Sequence, residues 1–225
     1  MRYPVLDAIG EDGFTALGWF VPRPGDGVPV PAGMLVLVGN AGPALWHRFA
    51  AARDPARDRL DDWTRDRLGA LAGRFGAAVF FPFDTPPLPF QRWAARAGAG
   101  RPSPLGLTIH PEYGLWHAYR GALAFARAPA LPARPDRPHP CDDCRDRPCL
   151  SACPVGAFDG QAYDVGACAK HIATPRGAAC LTGGCLARHA CPVGRAHAYR
   201  PEQAEFHMRA FLGAREDIPD QSQKD

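Results

Sequence analysis

The first 140 of the 225 residues contain no cysteine. The chain also has no apolar run near the ~20 residues that a membrane helix needs. Its longest, around Met34–Val38, is strand-sized. The opening Met1-Arg2-Tyr3-Pro4-Val5-Leu6-Asp7 carries no signal-peptide core. Lysine is almost missing: 24 of the 26 basic residues are arginine, interleaved with acids. The formal charge of +3 does not argue for a phosphate-binding surface, so nucleic acid is not an expected partner. No P-loop and no His-Glu-x-x-His occur. Gly98-Ala-Gly100 runs into Arg-Pro-Ser-Pro, where proline prevents the helix whose N-terminus would receive a dinucleotide phosphate. These absences predict a cytoplasmic protein with no membrane segment.

What is present is concentrated. Eight cysteines read Cys141-x2-Cys144-x4-Cys149-x3-Cys153-Pro154, then Cys168-x11-Cys180-x4-Cys185-x5-Cys191-Pro192. Each set of four closes on Cys-Pro, and the exit Cys153-Pro-Val-Gly156 recurs as Cys191-Pro-Val-Gly194. Four thiolates are what one cubane iron–sulfur cluster requires. In bacterial two-cluster ferredoxins the Cys-Pro member of each motif ligates the other motif's cluster. Applied here, that exchange puts one [4Fe–4S] cluster on Cys141, Cys144, Cys149 and Cys191, and the other on Cys153, Cys168, Cys180 and Cys185. Pro154, Val155, Ala157, Phe158, Pro192 and Val193 would form the apolar shell. The first motif has four residues between its second and third cysteines where the regular run has two, and the second is more stretched still. Two zinc sites of four thiolates each are the competing reading. Zinc does not explain the paired Cys-Pro exits or the close Cys149-x3-Cys153. Disulfides do not suit a reducing compartment.

Five prolines in residues 129–140 make an extended connector. The expected organisation is an α+β domain over 1–128, a Pro-rich linker over 129–140, a loop-rich two-cluster module over 141–215 and a polar tail over 216–225. In the first domain, Phe14–Val21, Met34–Val38 and Ala78–Phe83 read as strands. Asp54-Pro55 is a helix start, followed by an apolar stripe of Leu60, Trp63, Leu68, Leu71 and Phe75 that Gly76 ends. Asp61-Asp62 would be its solvated first turn. Pro89–Ala97 reads as a short helix closed by Gly98. Leu105–Ile109 and Leu115–Phe125 flank a turn at His110–Gly114. The second of these fits strand or helix periodicity, with strand preferred. Pro201–Arg215 reads as an amphipathic helix.

The segment Ser103-Pro-Leu-Gly-Leu-Thr-Ile-His-Pro-Glu-Tyr-Gly114, the stretch Leu115–Phe125, the cysteine layout and Tyr163-Asp-Val-Gly-Ala-Cys168 resemble the epoxyqueuosine reductase and reductive dehalogenase group. The resemblance covers roughly residues 100–195. It implies a nitroreductase-like N-terminal domain that binds a corrinoid, fed by two [4Fe–4S] clusters. An Asp-x-His-x-x-Gly cobalt-binding loop is missing, in agreement with that group. The helical-repeat extension used for tRNA is missing too, so a tRNA substrate is not carried over.

Candidate residues for a cobalamin or FMN pocket are His110, Glu112, Tyr113, Trp116, His117 and Tyr119, with Arg92 for a phosphate or propionate-type group. The competing expectation is that aromatics at this spacing are core. His47, His189, His197 and His207 are expected at the surface or satisfied. The leading functional expectation is an iron–sulfur redox protein that takes single electrons from a ferredoxin- or flavodoxin-type donor and delivers them to a corrinoid or flavin. It would then be a corrinoid-dependent oxidoreductase of unnamed substrate. The alternatives are a non-catalytic ferredoxin-type carrier docking a partner reductase, and a zinc-stabilised interaction module.

Overall fold

In a computed structural model that describes residues 2–53 and 59–216, the longest apolar run becomes a central strand. Met34–Ala41 (β2) is flanked by Thr15–Phe20 (β1) and His117–Phe125 (β6), and Ala78–Phe80 (β3) pairs with the far side of β6. All three pairings are antiparallel. Leu35 through Val38 are fully buried because both sheet faces are covered. On one face Val36, Val38, Leu123 and Phe125 meet three helices: Pro4–Glu11 (α1), Ala44–Ala52 (α2) and Leu60–Phe75 (α3). On the other, Leu35, Leu37, Ala122 and Ala124 meet Phe90–Ala97 (α4).

The expected elements are present with shifted ends, and before the cysteines two helices, α1 and α2, were not expected. The helix start at Asp54-Pro55 falls outside the described residues; α3 is described from Leu60 and ends on Gly76 in the left-handed region, φ 61°. The ambiguous segment is strand over His117–Phe125. The strand expected over Ala78–Phe83 stops at Phe80, where Asp84 turns the chain by accepting the Phe81 amide. Only Thr108–Ile109 (β5) of Leu105–Ile109 is strand, paired with Arg101–Pro102 (β4). Helix α1 begins on Pro4, a start signal at its first position without a capping side chain, and α2 follows Pro43 with no side-chain cap.

The sheet has one irregularity. Gly39 pairs with Tyr119 and Val38 with Gly121, which leaves Arg120 as an extra residue in β6. Such a bulge bends the strand and re-aims its side chains. A Cβ on Gly39 would collide with the Ala118 carbonyl, so the close approach at the bulge requires glycine.

The cysteine-rich part contains only short helices: Pro148–Ser151 (α5), Val165–Ile172 (α6), Ala178–Gly183 (α7) and Leu186–Ala190 (α8). The C-terminal helix Pro201–Glu216 (α9) turns back onto α2. Its Phe206 packs against Trp46 and Phe49 of α2, and Gln203 donates to the Gly42 carbonyl at 3.3 Å. In the proline-rich segment Arg134 donates to the Trp19 and Arg96 carbonyls. The expected tail lies outside the described residues from position 217 onward. Among the described residues no helix is long and apolar enough to cross a membrane.

Candidate redox site

The eight thiols are free and divide into two groups. Cys141, Cys144, Cys149 and Cys191 wall one small cavity, and Cys153, Cys168, Cys180 and Cys185 wall another. The Cys-Pro member of each motif therefore stands among the cysteines of the other. The five-residue helix α8 joins the two groups, with Cys185 at its start and Cys191 at its end. At 1.5 Å rise per residue, that span holds them about 9 Å apart along the axis.

Electrostatics divides the sulfurs in the same way. Burial, then the thiolates of Cys191, Cys144 and Cys149, pushes Cys141 up to about 11. Burial raises Cys149 and Cys191 as well, with Cys144 adding to both. In the second group burial raises Cys168, Cys180 and Cys185. Cys153 adds to the first two, and Cys168 adds to Cys180 and Cys185. Four thiolates so close need a cation to hold them ionised. Backbone amides lower the same groups: Leu150 at Cys149, Leu186 at Cys180, Arg188 and Ala187 at Cys185, and Val193 at Cys191. The Ala157 N–H donates to the Cys153 sulfur at 3.3 Å.

The surrounding shell is partly as expected. Ala157 and Phe158 are buried and Phe158 stacks on Tyr163 at 4.6 Å, whereas Val155 is 41% exposed. Among the described residues no three His, Cys, Asp or Glu side chains are set to grip one lone metal ion.

A larger cleft of about 640 Å³ opens between the two parts of the chain. Leu88, Pro89, Phe90 and Leu107 form its apolar side. His117, Tyr119 and Arg120 from β6, Arg188 from α8, Tyr199 from the segment before α9 and His207 of α9 form the polar side. Leu115 lines both this cleft and the cavity of Cys141.

Of the seven pocket candidates, only His117 and Tyr119 line the cleft. His110, Glu112 and Tyr113 line a separate, smaller depression. His110 has both ring nitrogens engaged: Nε2 donates to the Leu17 carbonyl at 3.0 Å, and Nδ1 accepts the Glu112 and Tyr113 amides. It fastens the turn before β6 to β1. Trp116 is 2% exposed, wedged between Tyr199, His189 and Arg188. Arg92 is on the exposed side of α4 beside Gly27, while its neighbours Phe90 and Gln91 reach the cleft. His207, expected at the surface or satisfied, lines the cleft. Burial, then Arg120 and Arg188, holds it neutral down to about 3. Arg120, Arg188 and Tyr199 were not singled out in the sequence. The glycine pair flanking the bulge, Gly39 and Gly121, was the available signal for Arg120.

The fold that emerges is a mixed α/β protein with a small antiparallel sheet, joined to a cysteine-rich part that holds two four-sulfur cavities. No family model matches the chain, and no curated protein matches its sequence. Its fold is similar to epoxyqueuosine reductases. The structure from Streptococcus thermophilus superposes with a TM-score of 0.52 at 18% identity, over 89% of this chain and 69% of that one. The Bacillus subtilis enzyme, solved with its catalytic aspartate loop swung out of the active site, gives 0.46 at 17% identity. A third, bound to an epoxyqueuosine-modified tRNA-Tyr stem loop, gives 0.49 at 17%. This chain spans 57% of the length of the Bacillus subtilis enzyme. Likeness at this identity concerns the fold, while function is argued from the site.

Proposed function

We propose that the protein is an iron–sulfur redox enzyme that carries single electrons through two [4Fe–4S] clusters to a corrinoid or flavin in the cleft. The observation that carries this reading is the division of eight cysteines into two four-sulfur cavities, one of which shares Leu115 with the cleft. The paired Cys-Pro exits and the close Cys149-x3-Cys153 suit a cubane cluster better than a zinc ion.

Cys141, Cys144, Cys149 and Cys191 would hold the cluster nearer the cleft. Cys153, Cys168, Cys180 and Cys185 would hold the one that faces a ferredoxin- or flavodoxin-type donor. A cluster pair supplies reversible one-electron chemistry, and the amides around the sulfurs tune it. The nitroreductase-like character of residues 1–128 and the ferredoxin-like character of 141–215 belong to the same proposal.

The cleft fits a flavin in size and lining, since pockets for drug-sized ligands run to roughly 300–1,000 Å³ with mostly apolar walls and a few polar groups, while a corrinoid, a much larger molecule, would enter it only in part. A corrinoid or flavin there would supply the step that acts on substrate. The chain's own part is to orient it with His117 and Tyr119 and to keep water from its apolar side. The expectation of no nucleic acid rested largely on net charge, and a fold neighbour holds a tRNA stem loop.

The test is iron and sulfide analysis of oxygen-free protein, where about eight of each are expected from the ligand count. Zinc in their place removes the redox reading. Titration of iron-loaded protein with hydroxocobalamin or FMN comes next. Stoichiometric binding is expected, and its absence would leave a non-catalytic electron carrier.

A further inference from the structure

The cleft carries charge of one sign at its inner end. Arg120 and Arg188 line it, and no aspartate or glutamate does so among the described residues. The Arg120 side chain is 13% exposed, and its Nε donates to Asn40 Oδ1 at 3.1 Å. Asp61 stands 3.7 Å from its Nη1 but is more than half exposed, so water screens that pair.

Arg188 lies over the rings of Trp116 and Tyr199, at 4.7 and 4.9 Å. Its Nη2 donates to the Leu115 carbonyl, and its Nε is buried with no hydrogen-bond partner. The Tyr199 hydroxyl accepts from Asn40 Nδ2 at 2.7 Å, which leaves its own proton for another acceptor. Two partly buried guanidiniums, one with only a screened carboxylate beside it and one with none, keep donors for an anion.

We propose that the inner end of the cleft receives an anionic oxygen group, a carboxylate or a phosphate, gripped by Arg120 and Arg188 with the Tyr199 hydroxyl donating to it. The bulge in β6 serves this site, because it allows Tyr119 and Arg120, adjacent in sequence, both to line the cleft. Arginine suits the role, since its fork matches two oxygens of such a group at once. The inference rests on the cleft being a ligand site, as the proposed function has it, and does not depend on the clusters.

The anion has two sources, a phosphate on the cofactor or an acidic group on the substrate. The full-length iron-loaded protein, kept free of oxygen, is titrated calorimetrically with FMN, riboflavin, benzoate and inorganic phosphate. Arg188→Gln is expected to weaken binding of the anionic probes about 10- to 100-fold. Arg188→Lys should fall between it and wild type, and riboflavin binding should not change.

A preference for FMN over riboflavin that disappears in Arg188→Gln assigns the anion to the cofactor. Binding of benzoate or phosphate without either flavin assigns it to the substrate, and would sink a flavin in the cleft while leaving this inference standing. Should Arg188→Gln lose its iron, Tyr199→Phe removes only the hydroxyl and should weaken the same probes about 3- to 10-fold. If no anion binds wild type, or if Arg188→Gln and Tyr199→Phe bind as wild type does, the proposal is overturned.

Discussion

Gly194 stands back to back with Gly114. A Cβ on Gly194 would collide with the Tyr113 carbonyl, and one on Gly114 with the Val193 carbonyl. Both have positive φ, 71° and 57°. The exit from the second cysteine motif is thus pressed against the turn that leads into β6. The first exit repeats the same four residues, yet its Gly156, also at positive φ, has nothing within 4 Å.

That difference yields the first prediction. Gly156→Ala should cost about 1 kcal/mol, the backbone penalty alone. Gly194→Ala and Gly114→Ala should each cost roughly 2–4 kcal/mol, because overpacking adds to it. Denaturant melts of the three variants compare them directly. Equal losses would mean that the two parts of the chain do not meet at this contact.

Cysteine replacements should sort by cavity and not by position in the sequence. Cys191→Ser should abolish the same cluster signal as Cys141→Ser, and Cys153→Ser the same as Cys180→Ser. Each variant is expected to retain about half the iron, since one four-thiolate site remains whole. Electron paramagnetic resonance of the reduced variants reads the result. A Cys153→Ser spectrum matching that of Cys141→Ser would overturn the crossed arrangement.

Asn40, 1% exposed on β2, holds Arg120 through its oxygen and Tyr199 through its nitrogen. Asn40→Leu strands both partners in the interior and should cost roughly 2–4 kcal/mol. Asn40→Asp keeps the acceptor for Arg120 and should cost less than Asn40→Leu. Thermal melts give the order, and a reversed order would show that burying the new carboxylate costs more than the Arg120 contact returns.

Burial first, then the neighbouring His110 ring, holds His117 down to about 3, against an ordinary 6.5. The unfolded chain therefore binds this proton first as the pH falls. The stability owed to the neutral, buried ring is whole above about pH 6.5 and is lost as the pH falls toward 3. The loss is about 1.4 kcal/mol for each pH unit in that window. His117→Gln should make the stability profile shallower between pH 6.5 and 4, as read by denaturant melts at each pH. An unchanged slope would mean that the ring is hydrated in the fold.

Local pattern fixed a good deal of this molecule before any contact was known. The apolar run at β2, the stripe of α3 and the glycine stops at Gly76 and Gly98 depend on backbone geometry and on neighbours within a few residues. The cysteine spacing likewise announced two four-sulfur sets, because thiolate count and Cys-Pro exits are features of the chain itself. Tertiary structure alone decided the chemistry of the cleft. Arg120 looked like one arginine among many, Arg188 and Tyr199 drew no notice, and His207 was expected at the surface or satisfied. They come from β6, α8, the segment before α9 and α9, and they meet only because α9 folds back onto α2 while the bulge at Gly39 turns Arg120. Whether a polar side chain is solvated or enclosed depends on residues that arrive from elsewhere in the chain, and no local period records their arrival.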